Sequence, residues 1–114
     1  MKYLLTITDI DGRWEALPAA EQARIMEDHG VLHAALREGG HYVASSRLRG
    51  PREARTVRLT ANGGRVVNDG PFTETKEVMG GFYLVDVASM EEAVAWAKRI
   101  PLAYGSVEVR PIRE

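Results

Sequence analysis

Apolar and β-branched residues crowd the start of the chain, and Tyr3 to Thr8 reads as a strand that stops at the turn-forming run Asp9-Ile10-Asp11-Gly12. The period then changes. Ile25, His29, Leu32 and Leu36 recur at steps of three and four, one face of a helix placed at Pro18 to Glu38. Pro18 suits its first turn, and Gly39-Gly40 supplies the positive φ that stops it. Tyr42 to Ser46 is the next strand, followed by an arginine-rich connection from Arg47 to Arg55. Thr56 to Ala61 and Arg65 to Asn68 read as a hairpin closed by Asn62-Gly63-Gly64. After Gly80-Gly81 comes the unbroken run Phe82-Tyr83-Leu84-Val85. Ser89, with Glu92 three residues on, is a capping box that opens a second helix. Ala93, Ala97 and Ile100, with Trp96 beside them, give that helix an apolar face, and Pro101 marks its end. Val107 to Ile112 closes the chain as an alternating strand.

The order β, α, β, hairpin, β, α, β predicts an α+β fold of the ferredoxin-like, split βαβ kind, with two helices on one face of a mostly antiparallel sheet. Strands in such a sheet alternate between an apolar and a polar side. Phe82 to Val85 does not alternate, so both of its faces call for cover, and two helices shelter only one. A second copy of the chain is the expected cover, giving a homodimer. The plainer alternative leaves one strand partly exposed.

At 114 residues, with 45% hydrophobic and 27% charged side chains and no linker-like tract, the whole span 1–114 is expected to be one globular domain. The net charge of −1 argues against a nucleic-acid partner. The absence of cysteine excludes disulfides, a thiolate nucleophile and Cys-ligated zinc. The opening apolar run is too short for a signal peptide or a membrane span, so a cytoplasmic protein with no membrane partner is expected.

Few residues offer chemistry. His29 and His33 share a helix face and lack a third ligand, because His41 lies beyond the helix stop; no metal is expected there. Gly30, costly inside a helix, suggests a close neighbour beside His29. Asn68-Asp69-Gly70-Pro71-Phe72 is a compact turn whose aspartate either ties the loop or orients a histidine for acid–base work. Arg47, Arg49, Arg52, Arg55 and Arg58 form a basic cluster, either a solvated loop or an anchor for a small anion. No phosphate-binding loop, dinucleotide fingerprint or serine elbow occurs, and no spacing dictates a cofactor.

The segment from Val66 to Glu77 around Asp69-Gly70-Pro71-Phe72, then Gly80 to Asp86, and finally Gly105 to Pro111, together with the opening Met1 to Leu5, resembles the DGPF branch of the YCII-related family over essentially the whole chain. The resemblance implies a dimeric α+β barrel in which two ferredoxin-like sheets face each other. It also implies a functional histidine on the first helix, matched by His29, and an aspartate near the end of the second, where this chain has Ile100. Asp69 is the substitute that remains. On this footing His29 and Asp69 are the candidate catalytic pair for lyase- or isomerase-type proton transfer on a small-molecule ligand, and Gly70, Pro71, Phe72 and Arg47 are candidate ligand contacts. The branch also resembles proteins associated with extracytoplasmic-function sigma factors. That implies, as the alternative, a non-catalytic ligand-binding or regulatory module with a sigma factor as partner.

Overall fold

The computed structural model describes residues 1–70 and 77–114. Strand β1 (Lys2–Ile10) leads into a single helical turn, α1 (Arg13–Ala16), and then into the long helix α2 (Ala19–Glu38). Strand β2 (Tyr42–Arg47) follows. A short 3₁₀ turn at Pro51–Glu53 comes before β3 (Arg55–Leu59) and β4 (Arg65–Asp69). Strand β5 (Glu77–Asp86), helix α3 (Met90–Ala97) and β6 (Ser106–Pro111) complete the chain. The one-turn α1 carries no side-chain cap, which is why no sequence signal marks it.

Four strands form one antiparallel sheet in the order β2-β5-β1-β6, and β3 and β4 pair separately as a two-stranded sheet. With the hairpin set aside, this is an α+β domain whose strand order is consistent with the ferredoxin-like plan expected from the sequence. The expected stop of α2 and start of α3 hold for physical reasons, whereas α3 ends at Ala97, short of the expected stop at Pro101. The His41 N–H reaches the Leu36 carbonyl at 2.9 Å and the Gly40 N–H reaches Arg37 at 3.0 Å, with Gly40 at φ 76°, a Schellman stop. At the start of α3, Ser89 Oγ accepts from the Glu92 N–H at 3.2 Å, while the Glu92 carboxylate accepts from the Ala88 N–H at 3.1 Å.

The core lies between the sheet and the two longer helices. Tyr3 and Leu5 of β1, Tyr83 and Val85 of β5, Leu32 and Leu36 of α2, and Ala93 and Ile100 in and after α3 are all buried there. The run from Phe82 to Val85 therefore splits by face. Tyr83 and Val85 point into the core, while Phe82 and Leu84 lie half-buried on the opposite side, opposite Thr6 and Leu4. Among the described residues, no helix is long and apolar enough to cross a membrane.

Candidate functional site

The helix-facing side of the sheet is filled at one end and open at the other. Tyr3, Leu5, Tyr83 and Val85 occupy the filled end. Further along, the row across the sheet is Arg47, Gly81 and Ile7, with Ser45 beside Tyr83. The side chains shrink at Ser45 and Gly81, which leaves room between the strands and α2. Gly81 has no alternative, since a Cβ there would stand 2.7 Å from the Ser46 carbonyl oxygen. The space left is a cavity of about 360 Å³ whose walls include His29, Arg47, Tyr83, Trp14, Ile25 and Tyr104. That volume suits a small organic molecule.

His29 is the polar centre of this cavity. Its Nδ1 lies 2.7 Å from the Tyr83 hydroxyl, and the two rings are nearly parallel at 14°. A phenol both donates and accepts, so this one contact serves either imidazole tautomer. Burial, and after it the positive charge of Arg47, push the His29 pKa below its ordinary 6.5, while Asp28 pulls weakly the other way. The shift favours the uncharged ring. Burial, reinforced by Tyr42, pushes the Tyr83 hydroxyl up to about 12, so it keeps its proton.

Arg47 enters from the end of β2, with its guanidinium carbon 4.9 Å from the centre of the Trp14 ring. It makes no ion pair among the described residues, so its N–H groups are open to an anion. Other walls are knit more tightly. His33 stacks on Tyr42 at 4.2 Å and its Nε2 accepts from Arg37 Nε at 2.8 Å, while the Tyr42 hydroxyl meets Ser45 Oγ at 2.9 Å. His29 and His33 thus have separate partners, and among the described residues no group of three or more His, Asp or Glu side chains is placed to hold a metal.

The remaining expected site residues lie elsewhere. Asp69 ends β4 opposite Arg55, with its side chain 94% exposed and Arg55 Nε at 3.6 Å; it does not line the cavity. Within the chain the partner of His29 is therefore Tyr83 and not Asp69. The reason is pairing: the hairpin joins the separate sheet, and its register turns Asp69 toward the cross-strand arginine. Gly70 closes the base of the hairpin, donating to the Ala54 carbonyl at 2.7 Å and accepting from Thr56 Oγ1 at 2.7 Å. Pro71 and Phe72 lie outside the described residues.

Tyr83 went unrecognised as a site residue because it sits inside an apolar run and reads as core. Only its register opposite Leu5 and Ser45 turns its hydroxyl to α2.

Gly30 also reads differently in the fold. A Cβ there would meet nothing within 4 Å, so the glycine borders open cavity and no close neighbour explains it. Gly30→Ala is expected to raise stability by about 0.5–1 kcal/mol through helix propensity, read in urea unfolding, while taking volume from the cavity. Destabilisation would show that the site is packed after all.

The fold and site define an α+β domain that holds an imidazole–phenol pair and a guanidinium in one cavity beneath its first long helix. The chain belongs to the YCII-related family, whose domain matches residues 1–114. It is 41% identical to an uncharacterised protein of Rhizobium meliloti (strain 1021) over 95 residues, 81% of this chain and 76% of that one.

Proposed function

We propose that the cavity binds a small organic carboxylate and that His29, with Tyr83, moves a proton on it. The observation that carries this reading is the 2.7 Å His29–Tyr83 contact on the wall of a ligand-sized cavity that also holds Arg47. Arg47 would take the carboxylate in a bidentate grip. His29 would accept a proton from carbon on Nε2 while its Nδ1–H donates to the Tyr83 oxygen, and would return the proton to a neighbouring atom of the same ligand. The reaction class is proton abstraction beside a carbonyl, as in an isomerase or lyase. Within the chain Asp69 stands outside this cavity, so the step is written without it.

Such chemistry exchanges substrate hydrogen with solvent even when no net product forms. A panel of 2-oxo and 3-oxo acids in D₂O, followed by proton NMR, is expected to lose signal at the α-carbon faster with the protein than without it, and Tyr83→Phe and His29→Gln are expected to slow that loss. Binding of these acids without exchange would instead identify a ligand-binding module, the alternative class. A panel that neither binds nor exchanges would remove the carboxylate reading.

A further inference from the structure

We propose that the ligand is a monocarboxylic 2-oxo acid with an apolar chain, its carboxylate end on the β2 side of the cavity and its chain on the β1 side. The inference rests on the carboxylate reading above and adds the substrate class to it. The strand order β2-β5-β1-β6 divides the cavity floor in two. Gly81 of β5 has Arg47 across one flank and Ile7 across the other, and two residues further along the strand Tyr83 has Ser45 and Leu5 as its neighbours. The guanidinium and a small hydroxyl therefore stand on β2, and the His29–Tyr83 pair is anchored at β5, between the flanks.

The β1 flank is built differently. Ile7 lines it together with Leu102 and Tyr104, which belong to the segment leading into β6 and so lie beside β1. Ile25, one turn before His29 on α2, is buried yet stands outside the core cluster, on the cavity wall. The charges bordering this flank are acidic. Asp9 has its Oδ1 on the Ile10 N–H at 2.7 Å, and Asp11 and Glu15 lie near it on the cavity wall, while Arg13 is held over the Tyr104 ring at 3.9 Å and is not among the residues that line the cavity. A second carboxylate on the ligand would meet like charge here, whereas an alkyl chain would meet isoleucine and leucine. Size points the same way. At about 30 Å³ for each water, 360 Å³ is the room of about a dozen, and counting each heavy atom as about one water, the smallest 2-oxo acid fills roughly half of it. The remaining half is the space against Ile7 and Ile25.

Three probes separate the two flanks: pyruvate, 2-oxopentanoate and 2-oxopentanedioate, the last differing from the second only in a carboxylate at the far end. In calorimetric titrations of the full chain, affinity is expected to rise about four-fold for each methylene added between pyruvate and 2-oxopentanoate. The diacid is expected to bind about tenfold more weakly than the monoacid of equal length. Leu102→Arg places a cation on the β1 flank at a side chain that is 41% exposed, so its far-ultraviolet circular dichroism should match the wild type while the gap between the two longer acids closes. Pyruvate binding as tightly as 2-oxopentanoate, a diacid that equals the monoacid, or a Leu102→Arg protein with an unaltered preference would each overturn the inference and leave the carboxylate reading in place. Failure of all three acids to bind would remove both.

Discussion

Gly105→Ala is expected to destabilise the protein by about 2–5 kcal/mol and to lower its melting temperature by on the order of 10–20 °C. Two costs coincide at this residue. Its φ of 88° is one that an L side chain rarely adopts, which accounts for roughly 1–2 kcal/mol. An added Cβ would also collide with the Thr8 carbonyl oxygen and stand 3.0 Å from the Asp9 Cα. Backbone cannot swing aside as a side chain can. Relief requires β6 to move off β1, just where Thr8 pairs with Ser106, and that would loosen Val107 and Val109 from the core. Gly12→Ala supplies the control. Gly12 has a similar φ of 82° with nothing within 4 Å of an added Cβ, so only the backbone cost of about 1–2 kcal/mol applies there. Chemical unfolding of both variants separates the terms, and equal losses would mean that the close approach of β6 to β1 is not as tight as the geometry states.

The parts of the fold legible in the sequence were those fixed by neighbours along the chain. The Gly39-Gly40 stop, the Ser89/Glu92 cap and the Asn62-Gly63-Gly64 turn each act over a few residues, and each forms where expected. The hairpin was legible as a hairpin, but its departure from the main sheet was not, because turn chemistry says that two strands pair and not what they pair with next. The same limit explains the site. His29 was found from its place on a helix face, and Arg47 from the basic cluster. Tyr83, 54 residues from His29, meets it only through the β1–β5 and β2–β5 registers. Asp69 was preferred as the partner of His29 because it was the remaining substitute for the family's aspartate, whose place this chain gives to Ile100. In the fold Arg55 takes that carboxylate, and the phenol takes the histidine. The alternation rule for strands also explains Phe82 to Val85: two of the four residues face the helices, and the other two are the apolar half of an outer face.

Exchanging an aspartate for a phenol beside His29 changes the chemistry in a way that can be measured. A carboxylate would favour the imidazolium and raise the histidine pKa, whereas burial and the Arg47 charge lower it here. Of the three histidines, His29 is expected to titrate by NMR with a midpoint below 6.5. Arg47→Gln should raise that midpoint by removing a positive charge, and Asp28→Asn should lower it further. Stability follows with a definite sign. The unfolded chain takes the proton more readily than the folded one, so the contribution of His29 is complete above about pH 6.5 and is lost as the pH falls toward the folded value. His29→Gln should flatten that acid limb. The same ring governs the proposed reaction. Exchange of the oxo-acid proton should rise with pH through the lowered midpoint and level off above it, as the base loses its proton. His29→Gln should cut it by about 10²–10⁴-fold, the usual worth of a positioned base. Arg47→Gln should instead weaken carboxylate binding and carry the inflection upward with the midpoint. A rate that follows pH without reference to the His29 titration, or that survives His29→Gln, would place the proton transfer on another group.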